Sequence, residues 1–155
     1  MLGRTLHWIS RLVLGTLFLI AGYIKLANPF LFEMAVDSYQ LLPSWGVIAV
    51  ARALPWMEIA LGLVLLAGWK LPYFATFSTL LLGFFLALMA IAYSRGTEAV
   101  CGCFGYGEPV SPRTLVRDTA LFGVAVYLTV FSWRARLRRS AAEPAPAFTP
   151  PQPLA

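Results

Sequence analysis

Cys101 and Cys103 are the only cysteines in the chain, and they sit two residues apart in Cys101-Gly102-Cys103-Phe104-Gly105-Tyr106-Gly107. A disulfide needs Cα atoms roughly 4.4–6.8 Å apart, and a tight turn can bring positions i and i+2 into that range. Gly102, Gly105 and Gly107 leave the backbone free to make such a turn. The ring closed this way is small and strained, and strained, exposed disulfides are the exchangeable ones. Two other readings stand beside redox exchange: a static bridge that pins the loop, and a soft-metal site shared with a second chain. A bridge across so short a loop removes little unfolded-chain entropy, which disfavours a purely structural role. Exchange requires a thiolate that a partner disulfide can reach and that nearby positive charge stabilises. Arg95 and Arg113 flank the loop and could supply that charge, while Glu98 and Glu108 oppose it. Within this chain the ligands for a structural metal are lacking, since His7 is the one histidine and zinc takes four. No metal is expected.

A second set of candidates is ionisable: Lys25, Arg52, Glu58, Arg117 and Asp118. Each lies in or beside an apolar stretch, where charge is costly and usually faces a protein interior in opposite-sign pairs such as Lys25 with Glu58. They fall toward the end of the molecule that carries the cysteines, and can serve there in charge stabilisation, proton relay or ligand contact. A structural reading competes. Pro55 could be the first residue of a helix, placing Glu58 in a first turn where the helix dipole favours a carboxylate. Lys25 and Arg117 could extend to the membrane interface.

The elements that must hold these groups are set by composition. Hydrophobic residues make up 59% of the 155-residue chain and charged residues 12%, against about 45–50% and about 25% in soluble domains. With a mean hydropathy of +0.74, the chain reads as an integral membrane protein. Its net charge of +5 flanks apolar runs, as topology requires, so nucleic acid is not an expected partner. Four spans are expected, at about 7–27, 47–69, 73–93 and 115–133, each near the roughly 20 residues that cross a bilayer. Signal cleavage after the first is not expected, because no small-residue site follows it. Residues 28–46 read as an interfacial amphipathic segment. Arg11, Gly15, Phe18, Gly22 and Lys25 share a face of the first span, where Gly15 and Gly22 let helices approach closely, and Gly83, Ala87 and Ala90 form a small-residue face of the third. The five tryptophans read as interfacial anchors.

The fold class is therefore all-α, a membrane four-helix bundle over residues 1–135. A basic, then Pro/Ala-rich, disordered tail follows over 136–155. Arg4, Arg11, Lys70 and the Arg134–Arg139 cluster assign both termini to the cytoplasm. The cysteine loop then faces outside, where disulfides persist.

The chain resembles the DoxX-like membrane proteins and, within them, the methylamine-utilisation MauE family. The resemblance is carried by Arg11-Leu-Val-Leu-Gly15, Ala21-Gly22-Tyr23-Ile24-Lys25-Leu26, Tyr39-Gln40-Leu41-Leu42-Pro43, Leu54-Pro55-Trp56-Met57-Glu58 with Gly62, and Cys101-Gly-Cys-Phe-Gly105. It implies a bacterial inner-membrane protein that works in extracytoplasmic thiol–disulfide chemistry with a periplasmic thioredoxin-like partner. Cys101 and Cys103 would be its reactive pair. It further implies a link to maturation of the disulfide-rich subunit of methylamine dehydrogenase. Relatives are similar in architecture to quinone-coupled disulfide-forming enzymes. Quinone is thus the one cofactor to consider, although this chain has a single CxC pair where those enzymes have two cooperating pairs. The leading expectation is a membrane thiol–disulfide oxidoreductase or electron-transfer subunit. The alternatives are a non-catalytic anchor or chaperone for a periplasmic redox enzyme, and a small-molecule carrier built on the Lys25/Glu58 region.

Overall fold

The computed structural model describes residues 2–96, 100–101 and 109–142. Among the described residues five helices follow one another: α1 (Leu2–Ala27), α2 (Pro29–Asp37), α3 (Ser44–Ala67), α4 (Leu71–Ser94) and α5 (Pro112–Ala142). Four of them, all but α2, are long and apolar enough to cross a membrane. A 24-residue helix such as α3 or α4 spans about 36 Å at 1.5 Å per residue, enough for a hydrocarbon core of about 30 Å. The all-helical class expected from the sequence is the class observed.

Local chemistry sets the breaks. The residue before a proline avoids helical backbone, so α1 stops at Asn28-Pro29, and Pro29 then opens α2 where its missing N–H costs nothing. At the far end of α3, Gly68 takes a left-handed conformation with φ of 73° and returns its N–H to the carbonyls of Val64 and Leu65. That closes the helix, and Lys70, also at positive φ, leads straight into α4. α5 starts on a reciprocal cap. Ser111 N–H donates to Thr114 Oγ1 at 2.9 Å, and Thr114 N–H donates to Ser111 Oγ at 3.4 Å.

The helices pack as α3 on α1, α1 on α5 and α5 on α4, with a lighter α3–α4 contact closing the ring. Leu14, Phe18, Leu61, Leu65, Ala75, Ala125 and Leu128 form the central core. The α1–α3 seam is the closest. A Cβ on Gly62 would lie 2.8 Å from the carbonyl oxygen of Gly15, and one on Gly22 would lie 2.8 Å from that of Pro55. Backbone therefore rests on backbone, as expected for Gly15 and Gly22. α2 lies across the cysteine end, burying Phe32 and Ala35 against Ala51 and Leu54 of α3.

Several boundaries and faces differ from expectation. α3 begins at Ser44, so Pro55 lies inside it rather than opening it, and Glu58 is not in its first turn. In a membrane a mid-helix proline is tolerated because neighbouring helices re-satisfy the freed backbone. Ala87 and Ala90 of α4 are exposed, and its buried residues are Ala75, Ser78, Met89 and Ala92. The near-uniform apolarity of this helix gave no marker of its packed side. Trp56 is exposed at mid-helix, whereas Trp133 Nε1–H donates to Thr76 Oγ1 at 3.0 Å. α5 runs past Trp133 to Ala142. Arg and Ala are good helix formers, and Arg136 lies over the rings of Tyr73 and Trp133 at 4.9 and 5.5 Å. The remaining tail, 143–155, lies outside the described residues.

Candidate functional site

The candidate site gathers at the end of the bundle where α1, α2, α4 and the starts of α3 and α5 meet the cysteine segment. Lys25 is in the last turn of α1, where the helix dipole favours a cation. Its ammonium donates to Glu58 Oε1 of α3 at 2.5 Å, and the two residues are only 5% and 3% exposed. The same ammonium lies 5.0 Å from the ring centre of Phe32 and 5.8 Å from that of Phe85. Both are cation–π distances. The pairing expected from the sequence is thus present, and it is buried rather than extended to the interface.

Asp118, in the second turn of α5, is the second buried carboxylate. Its Oδ1 accepts from Arg117 Nε at 3.0 Å. Its Oδ2 lies 3.9 Å from Cys101 Sγ, and Arg117 Nη2 lies 3.6 Å from the same sulfur. Met89 Sδ completes the surroundings at 3.5 Å. Val100 holds this segment in place through an N–H bond to Ser38 Oγ at 3.2 Å and a bridge to Pro109. α2 and the cysteine segment therefore share one end, as expected.

Two differences from the expected site follow. Cys101 is not an exposed loop residue: it is 7% exposed, its sulfur turned into the bundle. The cation at that sulfur is Arg117; Arg95 and Arg113 are exposed. Arg52 is exposed as well, on the outside of α3. Cys103, Glu98 and Glu108 lie outside the described residues. A thiolate at Cys101 would have the Arg117 guanidinium as its counter-charge, the kind of neighbour that stabilises thiolates, and a thiol there would have the Asp118 carboxylate within reach of its proton.

Two cavities adjoin these groups. The smaller, about 30 Å³, is lined by Lys25, Glu58, Met89 and Asp118 among others, and is large enough for a water molecule. Among the described residues Glu58 Oε2 has no hydrogen-bond partner. The larger, about 290 Å³, reaches from Lys25 to Cys101 between α2, α3 and α4, with Phe32, Tyr39, Phe84 and Phe85 in its wall. Sequence reasoning missed these aromatics and Met89. Phe32 carried a weak signal in the amphipathic pattern of α2, whereas Phe84, Phe85 and Met89 sit in a stretch where every neighbour is apolar.

Residues 3–131 match the family model described as methylamine utilisation protein MauE. The chain is 34% identical over 124 residues to a methylamine utilization protein MauE from Paracoccus versutus, covering 78% of this chain and 67% of that protein. It is 35% identical over 124 residues to the protein of the same name from Paracoccus denitrificans, covering 77% and 66%. The alignment thus spans about two thirds of these relatives' own length. No solved structure matches the chain at a significant level.

Proposed function

The chain belongs to the MauE family, and on that footing we propose that it is a membrane thiol–disulfide exchange subunit serving redox proteins outside the cytoplasm. Cys101 and Cys103 are its reactive pair, and the relatives' names put methylamine utilisation among the processes it can serve. The observation that carries this reading is the surroundings of Cys101 Sγ. A guanidinium and a carboxylate lie within 4 Å of it, at the end of the bundle remote from the basic cluster of α5.

The exchange balances as follows. A thiolate of a partner dithiol attacks the Cys101–Cys103 bridge, forming a mixed disulfide and releasing one cysteine as a thiolate. The partner's second thiolate then breaks the mixed disulfide. The partner leaves oxidised, and this chain is left as a dithiol. With the Cys101 sulfur turned inward, Cys103 is assigned to meet the partner. Arg117 compensates the charge that develops on Cys101, and Asp118 takes up or returns its proton.

Burial of Cys101 also favours a second reading, a static cysteine segment in a non-catalytic anchor or chaperone for a periplasmic redox enzyme. Redox titration in membranes separates the two. A midpoint between roughly −120 and −270 mV belongs to exchange, and resistance to reduction below about −300 mV to a structural bridge. Exchange further requires that Cys101→Ser accumulate a mixed disulfide with an extracytoplasmic thioredoxin-like or disulfide-rich protein through Cys103. Absence of any such adduct, together with a low potential, would establish the anchor reading instead.

A further inference from the structure

We propose that the basic cleft at the end of the bundle opposite the cysteine segment binds the phosphodiester headgroup of an anionic phospholipid, a role independent of the thiol chemistry. The cleft has a volume of about 1270 Å³ and forms where the start of α1, the α3–α4 turn and the last turns of α5 meet. Four cations line it: Arg11 from α1, Lys70 from the turn, and Arg136 and Arg139 from α5. Among the described residues no aspartate or glutamate lines it. On α5 the lining positions are Ser132, Ala135, Arg136 and Arg139, whose spacing keeps them on one face of a helix. Arg134 and Arg138 lie off that face. The last turns of α5 thus direct two arginines to the cleft and two away from it.

Arg11 sets the floor of the cleft. Its Nη2 donates to the carbonyl of Leu66, in the last turn of α3, at 2.5 Å, and its guanidinium lies 4.3 Å from the ring centre of Trp8. A Cβ at Gly68 would lie 2.7 Å from Arg11 Nη1, so the glycine that ends α3 also makes room for the guanidinium. Among the described residues Arg11 Nε and His7 Nδ1 are buried without a hydrogen-bond partner. Buried polar atoms left unsatisfied are costly, and charges in membrane helices ordinarily face an opposite charge. The acceptor that Arg11 does have is a neutral carbonyl. A phosphodiester supplies the charge and the oxygens that the cleft lacks.

The walls select the source of that phosphate. Trp8, Leu71, Tyr73, Phe74 and Phe131 line the cleft beside the cations, and Trp8 and Tyr73 are each 50% exposed. A free phosphate would leave these surfaces bare, whereas the glycerol and upper acyl carbons of a phospholipid cover them. Depth agrees. His7 and Arg11 lie in the first two turns of the apolar stretch Thr5–Ala27, and Lys70 immediately precedes α4. That is the level of the headgroups, where Trp, Tyr, Lys and Arg concentrate and where basic pockets between membrane helices take phosphate groups. An orientation signal needs only cations on one side of the membrane. It gives no reason for four of them to share one aromatic-walled cleft.

The test uses the full-length protein, purified in detergent and stripped of lipid. The probes are short-chain phosphatidylglycerol, phosphatidylcholine of the same chain length, and inorganic phosphate. Native mass spectrometry follows bound lipid, and thermal melts follow stability. Phosphatidylglycerol is expected to bind saturably and to raise the melting temperature, as any ligand of the folded state does. Phosphatidylcholine should bind more weakly, and inorganic phosphate should not displace the lipid. Each Lys or Arg at a headgroup is worth about fivefold in affinity, so Lys70→Gln/Arg136→Gln should bind phosphatidylglycerol roughly twentyfold more weakly. Arg134→Gln/Arg138→Gln removes the same charge from outside the cleft and should bind like the wild type. All four side chains are exposed, so both variants should fold. Equal losses in the two variants would reduce the effect to diffuse attraction and overturn the site, as would equal affinity for the two lipids. Displacement by inorganic phosphate would make the ligand a soluble anion and overturn the lipid assignment. Should a variant fail to fold, the wild-type melts decide: no shift with phosphatidylglycerol, or the same shift with phosphatidylcholine, overturns the proposal.

Discussion

The sulfur of Cys101 has more charge around it than the sequence suggested, and from an unexpected source. Arg117 reaches it at 3.6 Å from α5, whereas Arg95 and Arg113, nearer in sequence, point to solvent. The cation favours the reduced thiolate, so removing it should make the disulfide harder to reduce. Arg117→Gln is expected to lower the midpoint potential of the pair by roughly 30 mV, the equivalent of about 1.4 kcal/mol for two electrons. A redox titration of the variant in membranes checks this, and an unchanged midpoint would remove Arg117 from the chemistry. The Lys25–Glu58 pair sets a separate test. Breaking a buried ion pair leaves one charge stranded and costs about 3–5 kcal/mol, whereas replacing both partners with apolar groups can be neutral. Lys25→Met alone should therefore lower the melting temperature in detergent sharply, and adding Glu58→Leu should restore most of it. A double variant as unstable as the single one would show that the pair acts through something other than charge compensation.

Helix by helix, the sequence was most readable where a residue has only one physical use. Proline marked the break at Asn28-Pro29, and charges in apolar runs marked Lys25, Glu58 and Asp118 as candidates for burial and pairing. Pro55 misled, because the rule that places proline at a helix start comes from water, and the surroundings of α3 relax it. The packed side of α4 was hidden, since every side of that helix is apolar and only packing distinguishes them. The cavity was invisible for a related reason: it is a space left between α2, α3 and α4, and no single segment encodes it. The α1–α3 seam gives this level its own prediction. A side chain at Gly22 or Gly62 would meet a carbonyl oxygen of the facing helix at 2.8 Å, and backbone cannot rotate aside as a side chain can. Gly22→Leu and Gly62→Leu should force α1 from α3 and cost at least about 1–3 kcal/mol, as overpacking does. Gly123 has nothing within 4 Å of where its Cβ would lie. Gly123→Ala should leave stability unchanged or raise it by about 0.5–1 kcal/mol. Thermal melts of the three variants check the contrast, and equal effects would show that the seam is not tight.

For the molecule as a whole, charge and helix length together fix how it should sit in a bilayer. The cleft at the end opposite the cysteine segment gathers Arg11, Lys70, Arg136 and Arg139. The apolar stretch Pro112–Ala141 is 30 residues long, about 45 Å of helix against a hydrocarbon core of about 30 Å. Its last turns must therefore stand clear of the core, and those are the turns that carry Arg134, Arg136, Arg138 and Arg139. Toward the other end lie Lys25, Arg52, Arg95, Arg113 and Arg117, five cations against the seven of Arg4, Arg11, Lys70, Arg134, Arg136, Arg138 and Arg139. We propose from the Lys/Arg bias that both ends of the bundle sequence lie inside and the α2–cysteine end outside. On a Cys101→Ser/Cys103→Ser background, a cysteine introduced by Ser44→Cys should react with an impermeant maleimide in intact cells. One introduced by Ser140→Cys should react only after the membrane is permeabilised. The result reaches beyond topology. The reverse pattern would put Cys101 in a reducing compartment, where disulfides do not persist. Thiol exchange with extracytoplasmic partners would then be untenable, whatever the geometry around the sulfur.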